Sequence, residues 1–345
     1  MSTTRVPVTV LTGFLGAGKT TLLNYVLSEN HGRRIAVIEN EFGEVGIDEA
    51  LVLESDEEIF EMNNGCICCT VRGDLVRILG RLLRRDEPLD HIIIETTGLA
   101  DPSPVAQTFF FDDELRDRLE LDAIVTLVDA KHLLLHLDAG AADHSQVVEQ
   151  IAFADRLVVT KADLVDQAAL DEVIARVRRI NGGAELILGE HGKVDLDRIL
   201  GVHAFDLDRV VEMEPAFLTG DGEHDHDAGV TSVGFDVAGD LDPVRLDAWM
   251  DQLIQEWAVD IFRMKGILAV AGEDARQVFQ GVHMLVDVQP AAVWARGEQR
   301  RSRLVFIGRN LDRRQLESSF AACLVEAGAG PGREGQDVES QSRAG

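Results

Sequence analysis

The chain has 345 residues, and its 61 Asp and Glu side chains against 33 Lys and Arg give a formal net charge of −28. The hydrophobic fraction of 46% is that of a folded globular protein, and the length exceeds one ordinary core, so two domains are expected. So acidic a surface repels nucleic acid and anionic membranes, and we expect neither as a partner. No segment has the ~18 apolar residues of a membrane span, and the first residues lack a signal-peptide pattern, which predicts a cytoplasmic location.

The first predicted element is a buried strand, Val6 to Thr12, which leads into a glycine-rich loop and then a helix. The loop, residues 13–20 (GFLGAGKT), matches the P-loop pattern G-x-x-x-x-G-K-[ST]. In such a loop the glycines let backbone N–H groups face the phosphates, the lysine contacts the β- and γ-phosphates, and the final hydroxyl binds Mg²⁺. The predicted nucleotide contacts are Gly13, Gly16, Ala17, Gly18, Lys19, Thr20 and Thr21.

The second predicted strand, Arg34 to Glu39, ends in an acidic loop from Asn40 to Asp48 that contains two glycines. After the second strand of a P-loop protein, a loop in this position can sense the γ-phosphate. We therefore predict a switch segment here; an ordinary surface turn is the alternative.

Three of the four cysteines, Cys66, Cys68 and Cys69, lie within four residues. In a reducing compartment clustered thiols favour metal binding or redox chemistry, and soft sulfur ligands select Zn²⁺, Cu(I) or Co²⁺ over Mg²⁺ or Ca²⁺. A closed structural zinc site needs four ligands, so these three leave a position for Glu41, water or a partner's side chain. Such a site suits a metal that must leave again. Alternatively, these three cysteines only pack in the core or form a redox pair. The fourth cysteine, Cys323, is expected to be a buried packing residue.

The next strand, His91 to Glu95, contains three consecutive isoleucines and ends in Glu-Thr-Thr-Gly. Glu95 has the Walker B position, from which a carboxylate binds Mg²⁺ directly or through water. The backbone N–H of Gly98 is placed to contact the γ-phosphate. With Lys19, these residues form the predicted catalytic set.

A later strand, Arg156 to Thr160, leads into Thr160-Lys161-Ala162-Asp163, the N/T-K-x-D pattern of a guanine-binding loop. The carboxylate of Asp163 would accept hydrogen bonds from guanine N1–H and the exocyclic amine, a donor pair that adenine lacks. Lys161 would lie along the base. The pattern predicts GTP rather than ATP.

A polar stretch, residues 212–229, separates two predicted domains and contains His224 and His226, which either hold a metal loosely or are simply solvated. The predicted division is 1–211 for a P-loop domain, 230–326 for an α+β domain and 327–345 for a disordered tail. The second domain is predicted to contain strands at 231–237, 261–270, 282–288 and 304–307, with helices at 243–257 and 312–326.

Together these motifs resemble the CobW-type metallochaperone GTPases, relatives of UreG and HypB. The most specific mark is the run Gly65 to Cys69 (GCICC) between the switch loop and Glu-Thr-Thr-Gly, and Arg263-Met264-Lys265-Gly266 resembles the family's second domain. The resemblance implies an α/β fold, a P-loop GTPase domain with a largely parallel sheet, followed by a smaller α+β domain. It also implies slow GTP hydrolysis linked to delivery of zinc, or in some branches cobalt, to a client metalloprotein.

The sequence thus predicts a GTP-dependent metal chaperone with Mg²⁺ as cofactor, Zn²⁺ as first choice of cargo and Co²⁺ as second. Related GTPases act as dimers, which makes a homodimer the assembly to test. Within the family, cobalt insertion in cobalamin synthesis and nitrile hydratase activation stay open. Two other classes are alternatives: a small-molecule kinase, and a metal sensor or buffer indifferent to nucleotide.

Overall fold

The structure, a computed structural model, describes residues 5–29, 31–39, 59–61, 69–85, 87–111, 113–138, 141, 143–190, 192–204, 230–257, 259–283 and 285–325. Several predictions concern residues outside these ranges: the switch segment with Glu41, the ligands Cys66 and Cys68, the linker with His224 and His226, and the tail. Cys69 is described in its backbone only. These predictions and the domain boundaries stay predictions.

Seven strands form one sheet in the order β3-β2-β4-β1-β5-β6-β7, and every neighbouring pair is parallel. The apolar runs of the sequence supply these strands because a parallel sheet covered on both faces buries side chains on both of its faces. Their carboxyl ends share one edge, which is where open α/β sheets bind ligands. The strands are β1 (Val6–Gly13), β2 (Ile35–Glu39), β3 (Ile59–Glu61), β4 (His91–Glu95), β5 (Leu119–Asp129), β6 (Arg156–Thr160) and β7 (Glu185–Leu188).

Helices cover both faces of this sheet. Alternate residues of a strand point to opposite faces, so Val8 and Val10 join one core cluster while Leu11 joins the other. Helix α1 packs on the second cluster, and α2, α3, α6 and α7 pack on the first. The helices are α1 (Lys19–Ser28), α2 (Cys69–Leu82), α3 (Ser103–Phe111), α4 (Asp113–Arg118), α5 (Leu133–Leu137), α6 (His144–Phe153) and α7 (Gln167–Ile180).

A second sheet has five antiparallel strands in the order β11-β10-β9-β12-β8. Helices α8 (Pro243–Trp257) and α9 (Arg313–Ala321) cover one face, where Phe235, Phe306 and Phe320 pack around Trp249. This α+β unit beside a parallel α/β unit confirms the predicted fold class. The strands are β8 (Val230–Ala238), β9 (Ile261–Leu268), β10 (Ala275–Val282), β11 (Leu285–Val293) and β12 (Arg301–Arg309).

One predicted strand, residues 282–288, is wrong. The chain reverses there, because β10 ends at Val282, β11 begins at Leu285, and these two residues pair across the hairpin. His283 takes a left-handed backbone conformation with φ of 52°. A positive φ is uncommon for any residue other than glycine, and the chain has no Asn-Gly, Asp-Gly or Gly-Gly pair at this hairpin, so the sequence carried no turn signal.

The remaining face of the second sheet packs on the first unit. Val282, Val305 and Ile307 belong to the same core cluster as Phe153 of α6. At the end of α6, buried Asp155 accepts hydrogen bonds from Arg263 and from Lys265 Nζ, the latter at 2.5 Å. Burial opposes ionisation of this carboxyl, but the charges of Arg263 and Lys265 outweigh it and hold its pKa at about 2. The two sheets are therefore joined by both apolar packing and buried ion pairs.

Within the described ranges, no helix is both long and apolar enough to cross a bilayer.

Candidate nucleotide and metal site

The P-loop joins β1 to α1 at the carboxyl edge of the parallel sheet. Gly18 is the N-cap of α1 and has φ of 99°, a left-handed conformation that glycine adopts without strain. No side chain caps this helix. Since the first N–H groups of a helix have no intrahelical acceptor and its N-terminus carries partial positive charge, this end of α1 suits a phosphate group.

Lys19 is the first residue of α1, and its side chain turns back onto the P-loop. Its Nζ donates to Gly13 O at 2.8 Å and to Phe14 O at 3.4 Å, and only 9% of the residue is exposed. The loop conformation and the position of the ammonium group are therefore coupled.

The predicted base-binding loop makes direct hydrogen bonds to the P-loop. Thr160 Oγ1 donates to Ala17 O at 2.8 Å, and Lys161 Nζ donates to Gly16 O at 2.8 Å. Asp163 follows in a short 3-10 helix, Ala162–Leu164. Two segments more than 140 residues apart thus form one continuous surface at the end of β1 and β6.

Asp129, which sequence reasoning did not single out, holds this loop in place. Its Oδ2 accepts hydrogen bonds from Lys161 Nζ at 2.7 Å and from His132 Nδ1 at 2.8 Å. Burial disfavours its ionised form, but the bonds from Lys161 and His132 outweigh burial and keep its pKa below the usual value. Its place at the carboxyl end of β5 was the one available signal.

The end of β4 lies directly beside the P-loop. Glu95 is in register with Leu11 of β1 and with Glu39 of β2. Thr96 Oγ1 donates to Thr12 Oγ1 at 2.9 Å, and both hydroxyls are buried. Glu39, 7% exposed, is a second carboxylate at this edge that the sequence did not indicate.

Gly98 lies close against the P-loop. A Cβ at this position would lie 2.7 Å from the backbone N of Leu15 and 2.8 Å from its Cδ2. Only glycine allows this contact without a shift of the P-loop backbone, and it brings the end of the Glu95–Gly98 segment against residues 13–20.

The oxygen donors at this edge suit Mg²⁺. Thr20 is the second residue of α1 and Glu95 is the last residue of β4, and the two lie at neighbouring strand ends because β1, which leads into α1, pairs with β4. A hydroxyl and a carboxylate are ligands of the hard type that Mg²⁺ takes together with phosphate oxygens and water.

For the transition metal, the described ranges contain no group of three or more His, Cys, Asp or Glu that could hold an ion. The predicted ligands Glu41, Cys66 and Cys68 lie outside those ranges. Cys323, the cysteine whose side chain lies in the described ranges, is 3% exposed, and burial raises the pKa of its thiol, which fits a packing residue.

Comparison with known families gives two matches that together span most of the chain. Residues 7–188 match the CobW/HypB/UreG nucleotide-binding domain, and residues 230–324 match the cobalamin synthesis protein cobW C-terminal domain.

Two curated proteins are similar over most of their length. The chain is 37% identical over 322 residues to the zinc chaperone YjiA of Escherichia coli, covering 92% of this chain and 98% of that protein. It is 32% identical over 347 residues to zinc-regulated GTPase metalloprotein activator 1 of Schizosaccharomyces pombe, covering 89% and 83%. The crystal structure of Zn(II)-bound YjiA GTPase from E. coli superposes with a TM-score of 0.73 at 32% identity, covering 93% and 99%.

Proposed function

The chain belongs to the CobW/HypB/UreG family of GTPases, and from that premise we propose that it is a GTP-dependent chaperone that delivers Zn²⁺ to a client metalloprotein. The observation that carries the proposal is the convergence of three motifs at one sheet edge: the P-loop, the end of β4, and the base-binding loop bonded to the P-loop. The names of the relatives, zinc chaperone and zinc-regulated GTPase, support zinc as cargo.

The nucleotide would occupy this edge of the sheet. In the proposal, the N–H groups at the start of α1 and the Lys19 ammonium bind the phosphates, and Asp163 binds guanine. Thr20 and Glu95 would hold Mg²⁺, which when bound neutralises phosphate charge. The Gly98 N–H would face the γ-phosphate, so that its loss on hydrolysis releases the turn that follows β4.

The proposed metal ligands lie next to β2 and α2 in the sequence, and both elements belong to the parallel-sheet unit. Glu41 lies two residues beyond β2, whose last residue Glu39 is in register with Glu95. The cysteines immediately precede or begin α2, which is anchored in the core by buried Leu75 and Leu79. Movement at Glu95 to Gly98 would therefore reach both metal-binding segments through short connections.

Zn²⁺ affinity in three nucleotide states tests the coupling. Zn²⁺ would be titrated into the full chain with a non-hydrolysable GTP analogue, with GDP and without nucleotide, and Co²⁺ would be followed in parallel by its thiolate absorption bands. We expect the analogue-bound state to bind Zn²⁺ at least about tenfold more tightly than the GDP state, a difference of about 1.4 kcal/mol. Equal affinity in all three states would refute the coupling and favour a metal buffer.

Cysteine variants test the site itself. Cys66→Ser and Cys68→Ser should each weaken Zn²⁺ binding and remove the thiolate absorption of bound Co²⁺, because the thiolate is the ligand. Cys323→Ser is the matched control, since Cys323 is a buried thiol far along the chain in the second unit, and its metal binding should equal wild type. A small-molecule kinase would be supported instead if GTP turnover required a small-molecule acceptor and were unchanged in Cys66→Ser.

A further inference from the structure

Gln150 of α6 is a buried polar residue whose side-chain amide contacts the turn that contains Gly98. It is 1% exposed, and its Nε2 donates to Gly98 O and to Ala100 O, both at 3.1 Å. A primary amide has two N–H donors, and here each has a carbonyl acceptor. The neighbours of Gln150 on the same helix, such as Val147 and Ile151, are apolar core residues.

The turn contacts two separate elements, the P-loop and α6. Ala100 N donates to Thr97 O at 3.0 Å, which closes the turn, and Gly98 packs against the P-loop backbone at Leu15. Gln150 donates hydrogen bonds to two carbonyl oxygens of this turn, Gly98 O and Ala100 O, and so fixes their direction. Because glycine has the widest backbone freedom of any residue, the direction of the peptide groups around Gly98 depends on such outside partners.

Helix α6 is itself well anchored. Thr126 Oγ1 of β5 donates to the backbone O of Gln150 at 2.8 Å. The adjacent Glu149 accepts a hydrogen bond from Arg309 of β12 at 2.6 Å, so the same helical turn is fixed to the second sheet. The amide of Gln150 therefore extends from a rigid support.

We propose that Gln150 is a positioning residue for GTP hydrolysis, which holds the Gly98–Ala100 turn so that the Gly98 N–H points toward the γ-phosphate. This inference rests on the role given to Gly98 in the proposed function. Gln150 does not touch the nucleotide; it acts through Gly98. A leucine of similar size would fill the core without a polar group to satisfy, and a buried amide is costly unless hydrogen-bonded, so packing alone does not require glutamine here.

Gln150→Ala in the full chain, compared with Asn181→Ala, tests the proposal. Asn181 is the matched control because it is also 1% exposed and its Nδ2 donates to carbonyls of the same helix end, Ile151 O at 2.8 Å and Ala154 O at 2.9 Å. Each protein would be measured for kcat, KM, affinity for a GTP analogue and for GDP, and urea unfolding. We expect Gln150→Ala to lower kcat about tenfold or more with GDP affinity changed less than about threefold. Asn181→Ala should lose stability with kcat unchanged.

The proposal is overturned if Gln150→Ala keeps the wild-type kcat and the wild-type ratio of GTP-analogue affinity to GDP affinity. It is also overturned if Gln150→Ala and Asn181→Ala lose kcat equally. If Gln150→Ala does not fold, Gln150→Glu tests the proposal instead, because a glutamate side chain has the same shape as glutamine. Its carboxyl can donate to one carbonyl when protonated and to none when ionised, so its kcat should fall with rising pH more steeply than that of wild type. Parallel wild-type and Gln150→Glu profiles would refute the inference.

Gly98→Ala separates the two proposals. Full activity in Gly98→Ala would remove the role of Gly98 in catalysis. If Gly98→Ala has low GTPase activity and Gln150→Ala has wild-type activity, only the positioning role of Gln150 is overturned.

Discussion

The contact between Gly98 and the P-loop makes Gly98→Ala a sharp test of the nucleotide site. The added Cβ would lie 2.7 Å from Leu15 N, whereas ordinary contact begins at 3.4 Å, so the turn and the P-loop must separate by about 0.7 Å. The turn is also held by Gln150, which donates hydrogen bonds to the carbonyls of Gly98 and Ala100, so a shift of the turn would strain those bonds. The Gly98 N–H would then miss the γ-phosphate.

A displacement of about 1 Å in a catalytic group costs about 100-fold in rate, so we expect kcat to fall roughly 10- to 100-fold. GDP lacks the γ-phosphate, and its affinity should change less than about threefold. Single-turnover GTP hydrolysis and binding of a fluorescent GDP measure the two effects.

Gly183→Ala is the matched control, since a Cβ there meets nothing closer than Asn181 Oδ1 at 3.9 Å. Its kcat should equal that of wild type. A folded Gly98→Ala protein with wild-type kcat would refute the geometry, and equal losses of kcat and GDP affinity would place the effect in the P-loop instead.

Two further predictions concern stability and use urea unfolding. Asp155→Ala removes the carboxylate that pairs with buried Arg263 and half-buried Lys265, and it should lower the free energy of unfolding by about 3–5 kcal/mol. Asp197→Ala breaks an exposed ion pair with Arg33, in which the Asp197 side chain is 82% accessible, and should cost less than about 1 kcal/mol. Similar losses in the two variants would contradict the stabilising role of the Asp155 ion pairs. Burial, with a smaller effect of nearby positive charge, lowers the pKa of His91 to about 3. The unfolded chain therefore binds a proton at His91 that the folded chain does not bind. The free energy of unfolding should fall as the pH drops from 6.5 toward 3, by at most about 1.4 kcal/mol per pH unit from this group. His91→Gln should remove that contribution between pH 6.5 and 5, and identical pH profiles would refute it.

The nucleotide-binding motifs could be predicted because each is local in sequence. A strand that runs into a glycine-rich loop and a helix specifies its own backbone geometry, and Gly18 has the left-handed conformation that the loop requires. Once the strands are parallel, their carboxyl ends share an edge, and so Lys19, Glu95 and Thr160 must lie near each other. The cysteine motif was equally visible, and its metal-binding role stays a prediction.

The second unit shows where local signals were insufficient. The helix at 243–257 was predicted to its observed bounds, because its apolar residues recur with helical spacing and Pro243 marks its start. The hairpin between β10 and β11 was missed, since His283 reverses the chain without a glycine or asparagine. There the pairing with β9 and β11 determines the backbone conformation, and the residue type does not indicate it.

Sequence alone thus predicted which segments contact the nucleotide, while tertiary structure decided what holds those segments in place. Lys161 bonds to Gly16, Gln150 to Gly98, and Asp155 to Arg263, across separations of 52 to 145 residues. A phosphate-binding loop has a fixed pattern because its backbone must curl around the ligand. A buried amide or carboxylate needs only some partner within about 3 Å. Which partner that is depends on how the sheets and helices pack, and no spacing in the sequence records it.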